Sequence, residues 1–134
     1  MSENSKTYFE SEVDRLYGEE LFRPELYVQV RQSRAFMEKY HTEKIKLNDL
    51  AVAAFMSRFH YVRMFQRMYG LTPRCYLRDL RISNAKKLLK EGLSITQVCF
   101  DVGYESLPTF SAVFKKCTGY TPSEYQRIQK STLE

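Results

Sequence analysis

The chain repeats itself, and the repeat restricts its fold more than any other feature. Residues 65–76 read FQRMYGLTPRCY and residues 114–125 read FKKCTGYTPSEY, so Phe, Gly, Thr, Pro and Tyr return 49 positions later. Extended upstream, Ser57, Phe65, Gly70, Thr72, Pro73 and Tyr76 match Ser106, Phe114, Gly119, Thr121, Pro122 and Tyr125. The kinds of residue matter more than their number. They are a helix cap, a core aromatic, a helix stop, and the cap and first-turn Pro of the next helix. Ahead of this block the best spacing is 48, pairing Leu47/Ile95, Leu50/Val98 and Ala51/Cys99. The turn of the second unit is therefore one residue longer than that of the first. Each unit reads as a short helix, a tight turn and a longer helix.

Helix punctuation continues outside the repeat. Pro24 opens a first helix, with Leu26, Val30, Phe36, Met37 and Tyr40 at helical spacing up to His41. A second helix covers about 47–54, and a third runs from the Ser57 cap to Gly70. Thr72-Pro73 opens a long fourth helix to about Glu91. Capping boxes at 94–97 and 121–124 open the fifth and seventh helices, and Ser106 caps the sixth. The expectation is an all-α protein of about seven helices. Two helix-turn-helix subdomains, 23–72 and 92–134, flank a connecting helix at 73–91.

Charge is distributed unevenly. The net charge is +5, yet residues 1–22 carry six acidic and two basic side chains, while the other 112 carry 19 basic and 10 acidic. A basic body of +9 behind a leader of −4 suits a polyanionic partner. The leader also holds Tyr8, Phe9, Val13, Leu16, Tyr17, Leu21 and Phe22, too apolar for a plain tail. It reads as a helix or docking segment, either a linker remnant or a cover over the basic face. No apolar run approaches the roughly 20 residues of a membrane helix, and no signal peptide is evident, so the cytoplasm is the expected location.

Cys75, Cys99 and Cys117 are odd in number, lack Cys-x-x-Cys spacing and stand apart from His41 and His60. Neither a disulfide framework nor a metal site is expected. No phosphate loop, nucleophile motif or catalytic constellation is present, so we expect no enzyme and no cofactor.

A helical wheel separates the faces of the two longer helices of the repeat. Tyr61, Met64, Phe65 and Met68 fall on one side of the third helix, with Phe59, Val62, Arg63 and Gln66 opposite. In the sixth, Phe110, Val113, Phe114 and Cys117 face Pro108, Ser111, Ala112 and Lys115. The apolar sides are expected inside, which makes Cys117 a packing residue and Cys99 a small buried one. The outer sides, flanked by Arg58 and Arg67 or by Lys116, are where a DNA groove would be met.

These residues resemble the DNA-binding domain of the AraC/XylS transcription regulators. The second motif stands here as ITQVCFDVGYESLPTFSAVFKKCTGYTPSEY, the first as LAVAAFMSRFHYVRMFQRMYGLTPRCYL, and the joining segment as LRDLRISNAKKLL. The resemblance covers residues 45–130, about two-thirds of the chain. It implies recognition helices at about 57–68 and 106–117 entering successive major grooves of double-stranded promoter DNA, with the DNA-binding part acting as a monomer. Carried over by position, Phe59, Val62 and Arg63 read bases and Gln66 lies beside them, while Ser57, Arg58, His60 and Arg67 are placed for phosphates. In the second half Pro108, Ser111 and Ala112 stand at positions often polar in the family. Ser106, Thr109, Lys115 and Lys116 are then left to hold the backbone, and specificity leans on DNA shape. Phe55 stands where the family frequently has Gly, which predicts a distorted first turn.

The resemblance further implies an activator that recruits RNA polymerase. The chain leaves no room for the β-rich sensing domain of many members, so it is a small stand-alone regulator or the DNA-binding end of a larger one. Arg81 is expected in a structural ion pair, Lys86, Lys87 and Lys90 on a solvated face, and Tyr76 and Tyr125 as core pegs. The competing reading is a helical protein-interaction module, or a thiol sensor at Cys75, which is flanked by Arg74 and Arg78 near a helix start.

Overall fold

The computed structural model describes residues 24–133, so the expectation for residues 1–22 lies outside the described residues. Among those described there are seven helices and no strand: α1 (Pro24–Tyr40), α2 (Leu47–Ala53), α3 (Arg58–Tyr69), α4 (Pro73–Lys90), α5 (Ile95–Asp101), α6 (Leu107–Thr118) and α7 (Pro122–Leu133). The offsets of the repeat are visible in these bounds. Helix α5 follows α2 by 48 residues, and α6 and α7 follow α3 and α4 by 49. The extra residue of the second turn lies between α5 and α6.

Two compact units share the chain. The first takes Lys46–Pro73 and the part of α1 through Ala35; the second takes Phe36–Ile45 and everything from Arg74 on. In the first unit Val30, Leu50, Ala51, Ala54, Tyr61, Met64 and Phe65 are buried. Ser33 and His60 are the buried polar residues of this interior. For Ser33, the contacts are with α1 and α3. Its Oγ donates to Val30 O at 2.6 Å and lies 2.7 Å from the Tyr61 hydroxyl, so both buried hydroxyls are satisfied. Phe36, grouped by spacing with the apolar face of α1, is 41% exposed and lies instead against Tyr40, ring centroids 4.7 Å apart.

The second unit is centred on Ile82, Ala85, Leu89, Val98, Cys99, Val102, Phe110 and Phe114. Tyr125 is half-buried and meets Phe114 edge-on, 5.4 Å between centroids. Tyr76 departs from the expected core role, since it is only half-buried and its hydroxyl donates to Glu38. Gln126 Nε2 donates to Leu89 O and Leu93 O, which secures α7 to the end of α4. The capping box at the start of α7 is complete: Thr121 N donates to Glu124 Oε1 at 2.8 Å and Glu124 N to Thr121 Oγ1 at 3.1 Å. Those bonds hold the Glu124 carboxyl below its ordinary range.

Arg81 is structural, but its partners are not carboxylates. Its Nε donates to His41 O and its Nη2 to Glu43 O, both at 2.7 Å, and the guanidinium lies 5.7 Å from the Tyr104 ring centroid. A planar fork can bridge two carbonyls two residues apart in this way where an ammonium cannot. This fork ties residues 41–43 to α4, which explains why Phe36–Ile45 belongs with the second unit.

The turns that close each motif follow one pattern. Phe55 N donates to Val52 O and Met56 N to Ala51 O, both at 3.0 Å; Gly103 N donates to Phe100 O and Tyr104 N to Cys99 O, at 3.2 and 3.1 Å. Phe55 takes the left-handed conformation, φ 58°, as Gly103 does at 105°. The first turn is therefore not distorted. Phe55 adopts the backbone that glycine would, at a strain of about 1–2 kcal/mol.

Gly103 has a second constraint. A Cβ there would stand 3.0 Å from Arg81 Nε, His41 O and Thr42 O, whereas one at Gly119 would meet nothing within 4 Å. Gly103→Ala should cost the second unit about 2 kcal/mol or more, and Gly119→Ala about 1 kcal/mol, the left-handed strain alone. Urea denaturation of the two variants measures the difference; equal losses would remove the role given to the close approach.

Candidate nucleic-acid interface

Each candidate recognition helix is fixed at both ends. Ser57 Oγ accepts from His60 N at 3.1 Å and caps α3, and Gly70, left-handed at φ 79°, closes it by donating to Gln66 O. Ser106 Oγ accepts from Thr109 N at 3.3 Å and caps α6, and Gly119, φ 86°, donates to Lys115 O. Ser106 also donates its hydroxyl proton to Thr109 Oγ1 at 2.8 Å. These caps bring the amino ends of α3 and α6 to the surface, where the helix dipole favours an anion.

On α3 the two faces fall as the wheel divides them. Tyr61, Met64 and Phe65 are fully buried, and Met68 is half-buried. Arg58, Gln66 and Arg67 are exposed, Phe59 is 38% exposed, and Val62 and Arg63 are half-buried. The Arg63 guanidinium lies over the Phe59 ring at 4.6 Å, a cation–π contact that brings two of the expected base readers together.

His60 is a correction. It is only 5% exposed, so its ring lies in the interior and not at a phosphate, and its backbone N–H is taken by the Ser57 cap. A residue in the first turn, at 100° per position, lies between the faces of the wheel. Here the interior extends far enough to take it.

On α6, Phe110 and Phe114 are fully buried, Val113 and Ser111 are half-buried, and Pro108, Thr109, Ala112, Lys115 and Lys116 are exposed. Ser106 is half-buried at the cap. Cys117 is a second correction, being exposed. It shares the Phe110/Phe114 side in angle, but it lies in the last turn, beyond the depth of the core. Cys99 is buried as expected, and burial pushes its thiol upward, away from the reactive thiolate. Cys75 is half-buried. Lys86, Lys87 and Lys90 of α4 are exposed, as a solvated face would be.

The residue that position-by-position transfer did not place is Phe55, which is 83% exposed in the turn immediately before the α3 cap. The signal available was its substitution for glycine.

A family model described as a helix-turn-helix domain matches residues 50–128, more than half of the chain. The chain belongs to the AraC-type family of helix-turn-helix transcription regulators. The bifunctional transcriptional activator/DNA repair enzyme AdaA of Bacillus subtilis is 33% identical over 96 residues, 71% of this chain and 46% of AdaA. The regulator ExsA of Pseudomonas aeruginosa is 30% identical over 95 residues, 70% of this chain and 34% of ExsA. The chain thus spans less than half the length of these relatives. Among solved structures, the C-terminal domain of the response regulator AraT from Geobacillus stearothermophilus aligns with TM-score 0.72 at 28% identity, covering 75% of this chain and 84% of that one. The DNA-binding domain of AdpA, solved with a target DNA, shares the fold at TM-score 0.74 and 24% identity, covering 77% and 94%.

The matched region has the family and fold of AraC-type DNA-binding helix-turn-helix domains. Among the described residues no helix is long and apolar enough to cross a membrane.

The buried end of the first interface gives a pH signature. Desolvation pushes the Tyr61 hydroxyl up to about 12 from 10.0, with the Ser33 hydrogen bond opposing in part. A raised folded-state value contributes stability that is complete below pH 10 and is lost as pH rises through 12. The stability of the native chain should therefore fall relative to a Tyr61→Phe variant between pH 10 and 12. Denaturant melts at stepped alkaline pH measure it, and parallel curves would show that Tyr61 is not desolvated.

Proposed function

We propose that this protein binds an asymmetric promoter site as a monomer and activates transcription from it. Two subdomains, 23–72 and 92–134, joined by the helix at 73–91, would insert residues 57–68 and 106–117 into successive major grooves roughly one helical turn apart. The observation that carries this reading is the pair of outward faces. The same cap, turn and stop present Phe59, Val62, Arg63 and Gln66 on α3 but Pro108, Ser111, Ala112 and Lys115 on α6. Two frames alike in backbone and unlike in side chains suit a site whose halves differ.

In the first half Arg63 is the donor suited to a bidentate guanine contact, and Phe59 and Val62 suit thymine methyls. The Phe59–Arg63 stack holds the guanidinium plane against an apolar neighbour, which restricts its rotamers before DNA arrives. Ser57, Arg58 and Arg67 hold phosphates. With the His60 ring inside, the anion contact at this helix end falls to the backbone and to Arg58. In the second half Ser106, Thr109, Lys115 and Lys116 hold the backbone, and sequence preference comes from DNA shape and from apolar contacts of Pro108 and Ala112.

Activation through RNA polymerase rests on analogy with the family, and AdaA, a transcriptional activator by name, supports the activator part of this reading; a cytoplasmic location completes it.

Selecting sites from random duplexes and then titrating variants over a range of salt tests the reading. Arg63→Ala should cost about 1–3 kcal/mol on the selected site and relax one base position. Lys116→Ala should weaken all duplexes alike and reduce the salt slope by about one. A chain with no salt-dependent duplex binding would favour the protein-interaction module instead.

A further inference from the structure

Phe55 is unfavourable twice over in the described fold. It holds a left-handed backbone at φ 58° that glycine would adopt without strain, and its side chain is 83% exposed. One turn earlier Val52 is 63% exposed, and the next exposed large apolar residue, Phe59, is 38% exposed. Strain together with an uncovered aromatic marks a surface kept for a contact that the described residues do not make.

We infer that the Val52–Phe55 surface of the first helix-turn-helix is the docking site for the chain's own acidic, aromatic leader, residues 1–22. Three features select this occupant over a second copy or an outside protein. The leader intersperses Phe9, Val13, Leu16 and Tyr17 with Glu10, Glu12 and Asp14, an apolar and acidic counterpart to an apolar surface beside Arg58. Its charge is opposite to that of the unit it would cover. Arg31, Arg34, Lys46, Arg58, Arg63 and Arg67 against Glu25 and Asp49 give the described residues of the first unit +4, against −4 for residues 1–22. It is also tethered, since residue 23 joins directly to Pro24 of α1. At about 3.3 Å per extended residue, 22 residues reach up to about 70 Å, and a tether of this kind supplies an effective concentration in the millimolar range.

Docking at Phe55 places acidic side chains beside Arg58 and Phe59, so leader and duplex DNA would compete for that end of α3. The competition rests on the DNA reading above; the docking does not.

The test uses the full chain with p-benzoylphenylalanine in place of Phe55, irradiated without DNA at two protein concentrations and mapped by peptide mass. The expected adducts fall within residues 1–22 of the same chain, in a yield independent of concentration. They should drop several-fold on Glu12→Lys with Asp14→Lys. Adducts to a second copy that rise with concentration, adducts elsewhere in the chain, or none would overturn the inference. No leader adduct in a chain that still binds duplex DNA refutes the docking alone; a leader adduct in a chain that binds no duplex refutes only the DNA assignment.

Discussion

Each candidate recognition helix is preceded by a tight turn with a positive φ that closes on the carbonyl of a small buried residue. Ala51 O accepts from Met56 N in the first motif and Cys99 O accepts from Tyr104 N in the second, with Ala51 and Cys99 at 1% and 0% exposure. A larger side chain at either position would separate the two helices it lies between, and core sites absorb added volume at a cost of about 1–3 kcal/mol. From that closure follow the serine cap, the buried aromatic pair one turn on, and the glycine that ends the helix. The outward face is what remains after these positions are assigned. Side-chain identity there is free to change without disturbing the frame, and this lets the two halves present different surfaces.

The frame was legible because local chemistry determines it. Ser57 and Ser106 cap, Gly70 and Gly119 stop, and Thr121 and Glu124 form their box, each through bonds spanning only three or four residues. What the sequence left open depends on distance through space. Cys117 departs from expectation because a wheel gives an angle but no depth, and His60 because a position carried over from a family gives no depth either; the interior takes in His60 and ends short of Cys117. Arg81 was expected to seek a carboxylate, yet it finds two carbonyls of a segment some forty residues upstream. Nothing in residues 36–45 themselves announces that they belong with the second half of the chain. Phe55 lies between these cases. Its position in a glycine turn was visible, but whether the turn would yield or the phenylalanine would strain depended on the hydrogen bonds on either side, and they hold.

The two halves differ in how they can meet DNA. Helix α3 offers a guanidinium over an aromatic ring, 4.6 Å from its centroid, a group with donors of its own. Helix α6 offers proline and alanine on the corresponding face and two exposed lysines near its end. The first arrangement suits contact with base edges, and the second suits adhesion to a backbone whose path is already set by sequence.

The central claim, that both helices lie in the major groove of one duplex, is tested most directly by dimethyl sulphate protection at guanine N7 on the selected site. The account predicts two protected major-groove clusters about 10 base pairs apart on one face. The stronger cluster should belong to α3 and lose one guanine in the Arg63→Ala variant. A single cluster, no protection at guanine N7, or two clusters both indifferent to Arg63→Ala would contradict it.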